Sequence, residues 1–215
     1  MIRSARAAVA ACIFWSIAPP ALANEPDVPP GLDPGGVAVA LFGKGVDYVR
    51  PELAQRLARD GEGDLIAWDF TDNDTKPYAA SGQSNDDALY LAANGPLIKL
   101  IVIKEQPGNP AAIGHMATFM VRTPARVAVW PDGSPQRADW PILFKAAQRF
   151  SDRLFIVPGP LQSPPDDRPP NVVAPKKSAG SDPRTATLDI AVRAATILKK
   201  SPDLPLNELI KALNR

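Results

Sequence analysis

Cysteine is almost missing from this 215-residue chain, and the one thiol, Cys12, sits in an N-terminal stretch patterned like a secretory signal. Arg3 and Arg6 form a basic start, residues 7–18 an apolar core, and Ala21-Leu22-Ala23 a small-residue cleavage site. Val9-Ala10-Ala11-Cys12 loosely matches a lipoprotein box, but Cys12 lies inside the apolar core, which argues against lipidation. Cleavage after Ala23 would leave a chain with no thiol, and so no disulfide, cysteine nucleophile or thiolate metal site. Histidine is equally scarce. His115 is the only one, so a multi-histidine zinc site is excluded and any Ser-His-Asp triad would have to use it.

No excess of charge is present either. The 24 basic and 23 acidic residues nearly cancel, and losing Arg3 and Arg6 with the signal leaves 22 against 23. Nothing in that balance calls for nucleic acid as a partner. The longest apolar run, in the signal, falls well short of the roughly 20 residues a membrane span needs. The expectation is an exported protein, periplasmic or secreted, with no membrane span.

What is present is alternation. Residues 24–36 are rich in proline and glycine and read as an extended lead-in; 37–215 read as one domain. The apolar run 37–42 has the length and branching of a buried parallel strand. It turns through Gly43-Lys44-Gly45 into a predicted helix at 51–60, with Pro51 in its first turn and Gly61 beyond its end. Strands are predicted at 65–68, 97–103, 126–130 and 154–157. Helices are predicted at 84–94, 111–121, 139–150, 186–200 and 206–213. Strand and helix in turn predict an α/β layered structure around a parallel sheet. Residues 158–183 carry eight prolines and read as an exposed loop.

Several stretches, in order, resemble the subtilisin-like serine peptidases (subtilases). Gly45-Val46-Asp47-Tyr48 and Pro51-Glu52-Leu53 look like the segment after that family's catalytic Asp. Ala67-Trp68-Asp69-Phe70-Thr71-Asp72-Asn73-Asp74 is similar to a family loop, and Gly82-Gln83-Ser84-Asn85 falls where the His-bearing helix begins. Ile156-Val157-Pro158-Gly159-Pro160 resembles the strand leading to the oxyanion-hole Asn, and 191–204 the helix behind the nucleophile. The resemblance implies a subtilisin-like three-layer sandwich with a central, mostly parallel sheet. The loop at 161–181 is far shorter than the family's, which implies truncation.

Carried over residue by residue, the resemblance puts Gly43 in place of the Asp, Gln83 of the His, Arg184 of the Ser and Pro160 of the oxyanion Asn. A hydroxyl nucleophile, an imidazole base, an orienting carboxylate and an oxyanion donor are what such hydrolysis requires. Gly43 has no side chain, an amide is no base near neutral pH, a guanidinium is no nucleophile, and proline has no donor. The expectation is a noncatalytic domain binding a peptide or protein at a remnant cleft rimmed by Gly43-Lys44, Gln83, Trp130 and Arg184. An active serine-type endopeptidase with a non-standard set is the alternative: Ser181 as nucleophile, with Asp86 or Asp87 as base. Acidic residues in a helix's first turn are also simply favoured by its dipole. A third reading is an unrelated α/β small-ligand binder.

Asp69, Asp72 and Asp74 offer hard oxygens at short spacing, as Ca²⁺ prefers, and some subtilases hold Ca²⁺ on the matching loop. Lys76 within that loop opposes a cation, so a solvated turn stands beside the Ca²⁺ site. No other cofactor is expected, because Gly43-Lys44-Gly45 lacks both the dinucleotide fingerprint and the P-loop ending. Lone His115 reads as a surface or core-edge residue. Pro131, in Trp130-Pro131-Asp132-Gly133, would weaken pairing of a peptide with the strand there.

Overall fold

The computed structural model describes residues 25–95, 98–106, 108–131, 139–159, 168–175 and 182–214. The proposed signal at 1–23, Pro160, Ser181 and most of the proline-rich loop lie outside them.

Six strands form one sheet: β1 (Val37–Gly43), β2 (Trp68–Asp69), β3 (Ile98–Lys104), β4 (Val127–Val129), β5 (Leu154–Ile156) and β6 (Val172–Val173). Their spatial order is β2-β3-β1-β4-β5-β6, and every pairing is parallel. From β1 the chain goes to the edge strand β2, returns through β3 to β1's flank, then crosses to β4 and builds outward on the other side, so the direction reverses at β1. Open α/β sheets place ligands beyond the C-terminal ends of the strands at such a reversal.

β1 is an apolar run because both of its faces are covered. Val39 and Leu41 point into a core shared with α2 (Gln83–Asn94), α5 (Pro183–Lys200) and α6 (Leu206–Leu213). Ala38, Ala40 and Phe42 point the other way, towards α3 (Ala112–Val121) and α4 (Trp140–Arg149). Among the described residues no helix is long and apolar enough to cross a membrane.

Three expectations need correction. The helix at 51–60 is only α1 (Pro51–Ala54). Beyond it the backbone unwinds to bond β3: Leu100 N–H donates to the Arg56 carbonyl at 2.7 Å, and Ala58 N–H to the Leu100 carbonyl at 2.8 Å. A sheet edge left unpaired outweighs local helix preference here. The second strand shrinks to match, and residues 59 and 65 form an antiparallel bridge ahead of it. Finally, the proline-rich stretch hides β6. Asn171 anchors it, donating from Nδ2 to the carbonyls of Ala147, Phe150 and Arg153 and satisfying the frayed end of α4.

Residues 25–36 form no helix or strand and are tied down by side chains. Tyr48 Oη donates to the Pro26 carbonyl at 2.7 Å, and the Arg59 guanidinium donates to the Pro29 and Gly63 carbonyls. Asp33 accepts from the Arg59 backbone and from Lys99 Nζ at 3.0 Å.

Candidate functional site

β1 ends at Gly43 directly below the first turn of α2. A Cβ added to Gly43 would lie 2.4 Å from Ser84 Oγ. Ser84 is buried and its Oγ accepts from Lys44 N–H at 2.8 Å. The space that a side chain at Gly43 would need is therefore taken by the second residue of α2. The helix starts after Gly82, whose φ of 125° suits a residue without a Cβ. Asn85 completes the junction, accepting from Asp47 N–H at 2.5 Å and donating to the Ala79 carbonyl.

Across this junction comes α5. Asp182 caps it, its carboxylate accepting from Thr185 N–H at 3.1 Å and Thr185 Oγ1 at 2.9 Å. Those bonds, led by the Thr185 backbone, hold the Asp182 carboxyl below the usual carboxylate range. Arg184 follows in the first turn, an unfavourable place for a cation by the helix dipole alone. It is offset by Asp87 on α2, whose Oδ1 lies 2.6 Å from Arg184 Nη2 while its side chain is only 2% exposed. The same Nη2 donates to the Gln83 carbonyl at 2.6 Å, and the Gln83 amide oxygen can face the guanidinium too.

The structure thus brings together three of the four positions singled out in the sequence. Gly43, Gln83 and Arg184 surround one point at the end of β1, and Asp87 joins them as the partner of Arg184. Asp86, on the same helix, is exposed. Trp130 does not belong to the rim. It is fully buried and stacked on Phe42 with ring centroids 3.8 Å apart, because the end of β4 turns its side chain into the α3–α4 core. The exposed rim near Gly43 consists of Lys44 and Gln83, with Arg184 partly covered.

The acidic loop is arranged differently from its sequence reading. Asp69 is fully buried, and its Oδ1 accepts from Thr71 N–H at 2.6 Å and Asp72 N–H at 3.1 Å. Its Oδ2 lies 2.5 Å from Lys104 Nζ, which also sits 3.4 Å from Asp72. Burial works against the Lys104 charge, but bonding and attraction from Asp69, then Asp72, win and hold its ammonium above the ordinary lysine range. The acid that joins Asp69 and Asp72 is Glu25 rather than Asp74; one oxygen from each lies within 4.8 Å of the others. Burial, then repulsion from Asp74, pushes Glu25 upward. Asp74 instead accepts from Lys76 N–H at 2.8 Å, and the Lys76 ammonium is drawn 3.8 Å from Asp27. A divalent cation here would have to displace Lys104, which stands where Lys76 was expected to.

Lys104, Glu25 and Ser84 were not foreseen. Lys104 had a signal, a charge closing the apolar run Leu100–Ile103. Ser84 had none by itself, because its contact with Gly43 joins positions far apart in the chain.

His115 is exposed on α3, on the other face of the sheet.

No family model matches the chain, and no curated protein matches it. Solved structures do. A cold adapted subtilisin-like serine proteinase superposes with a TM-score of 0.61 at 15% identity, over 86% of this chain and 83% of its own. A lanthipeptide protease gives 0.58 at 13% identity, over 83% of this chain and 80% of its own. The chain has the subtilisin-like fold.

Proposed function

We propose that this chain is an exported, noncatalytic module of the subtilisin-like fold that holds a peptide or protein segment in the remains of the cleft. One observation carries the reading: Arg184, which the family resemblance aligns with the nucleophile, donates to the backbone carbonyl of Gln83, which it aligns with the base, and pairs with Asp87. Acyl transfer needs a nucleophile that can lose a proton and a base that can take it. A guanidinium bonded to an amide supplies neither. Asp87, the buried carboxylate of the alternative catalytic set, is engaged with Arg184 and so is not poised to activate a hydroxyl. The neighbours by fold are peptidases, one of them a lanthipeptide protease, which supports an extended peptide as the ligand class. Lys44, Gln83 and Arg184 would meet it with donors along one wall.

Fluorophosphonate labelling of the purified protein from acidic to alkaline pH, with mass spectrometry of any adduct, tests the absence of catalysis. The expected result is no adduct on folded protein. A stoichiometric adduct on Ser181 or a neighbour would replace this reading with that of a serine-type endopeptidase using Asp86 or Asp87. Binding is tested by fluorescence polarisation against short labelled peptides. Lys44→Glu and Arg184→Gln should each weaken the peptides that bind, and retention of full affinity in both would remove the cleft from the account. Ca²⁺ is the one cofactor proposed, at Asp69 and Asp72 with Glu25 in the place expected for Asp74. Displacement of Lys104 makes it weak, and equal melting temperatures with Ca²⁺ and with a chelator would dismiss it.

A further inference from the structure

We propose a second ligand site, on the opposite side of the sheet from the cleft, that takes a small aromatic carboxylate. A cavity of about 630 Å³ opens between α3 and the segment running into and out of β2. That volume lies within the range of small-molecule sites. Its floor is aromatic: the rings of Trp68 and Phe119 lie 5.8 Å apart and those of Trp68 and Phe70 6.4 Å apart. All three are only half-buried, with Phe70 and Phe119 also packing against the core, so part of each side chain stays open. Flat, partly covered rings of this kind gain from a planar partner.

One stripe of α3 supplies the other wall. His115, Thr118, Phe119 and Arg122 follow the i, i+3, i+4, i+7 spacing that puts them on one helix face, and all four line the cavity. None of the ion pairs among the described residues uses Arg122 or His115. The one acid at the cavity, Asp60, has Oδ1 committed to its own turn, accepting from Glu62 N–H at 2.9 Å and Asp64 N–H at 3.0 Å. An aromatic floor with a guanidinium and an imidazole at its mouth is complementary to a planar apolar body carrying a carboxylate, which a guanidinium can bind bidentately. The site shares no residue with the cleft and stands or falls independently of the peptide-binding reading.

The test is a titration of the isotope-labelled protein with 2-naphthoate and, separately, with neutral 2-naphthamide, followed by amide chemical shifts. Saturable shifts confined to residues around Trp68–Phe70 and His115–Arg122 are expected for 2-naphthoate. Arg122→Glu, at an exposed position, should weaken 2-naphthoate about tenfold and leave 2-naphthamide unchanged. Thr118→Trp should abolish binding of both by filling the cavity. Absence of saturation, shifts that map elsewhere, or an Arg122→Glu effect equal for the two probes would each overturn the proposal.

Discussion

Two places in this molecule bury a carboxylate and close it with a cation, and they do so by different routes. At the acidic loop, Asp69 and Lys104 lie in register on neighbouring strands, so the sheet itself delivers the ammonium, and two loop amides complete the shell. At the cleft, Asp87 and Arg184 come from separate helices, α2 and α5, and their pairing crosses the point where those helices meet the end of β1. The loop pair is local and fully enclosed on the acid side. The cleft pair is a long-range clasp, with its guanidinium 24% exposed. In both, an internal cation sits within a cluster of polar groups, Lys104 between Asp69 and Asp72 and Arg184 between Asp87 and Gln83. A buried charge left without its partner is costly, so removing either cation should destabilise the fold.

Breaking the loop pair should have the largest effect. Lys104→Met leaves Asp69 buried beside an apolar side chain and is expected to cost about 3–5 kcal/mol, read as a lower denaturation midpoint. The same variant removes the competitor for a cation, so a Ca²⁺-dependent rise in melting temperature should be larger than in the parent. Arg184→Ala should cost less, about 1.5–3 kcal/mol, because removing the partly exposed guanidinium opens a path for water to Asp87. Adding Asp87→Ala should recover part of that loss, and strict additivity in the double-mutant cycle would show that the pair does not interact.

The comparison sharpens at Gly43. Gly43→Ala brings a Cβ against Ser84 Oγ and is expected to cost about 1–3 kcal/mol, which Ser84→Gly should relieve when the two are combined. If Gly43→Ala is neutral, the helix-strand junction is loose and the clasp alone defines this end of the cleft. The smallest effect concerns the lead-in. Burial works to raise the Asp33 carboxyl, but its bonds to Lys99, Arg59 and Gly35 outweigh that and hold it below the usual value of 3.8. A depressed carboxyl stabilises above its unfolded value and loses that contribution as pH falls through the folded one. Amide exchange in the lead-in should therefore accelerate at pH below 3.8 before the core melts, and Asp33→Asn should abolish the pH dependence.

Much of the fold was legible because a two-sided parallel sheet writes itself as apolar runs. The strands around 37–43, 98–104 and 154–156 stand where those runs predicted them. The misreadings have separate causes. Residues 55–60 have helical composition but are drawn into pairing with β3, and Val172–Val173 is too short a strand to announce itself among prolines. Trp130 looked like a rim residue because it closes a strand. Whether the last residue of a strand faces solvent depends on which layer covers it, and here α3 and α4 do.

The sequence by itself determined the alternating architecture and the scarcity of thiol and imidazole. Those follow from composition and periodicity, which are local properties of the chain. Only the tertiary structure decided that Ser84 fills the space beside Gly43, that Arg184 reaches both Gln83 and Asp87, and that Lys104 rather than Lys76 meets the buried acid of the loop. Each of these joins residues far apart in the chain. Which cation meets which carboxylate is set by strand register and helix packing, not by sequence distance.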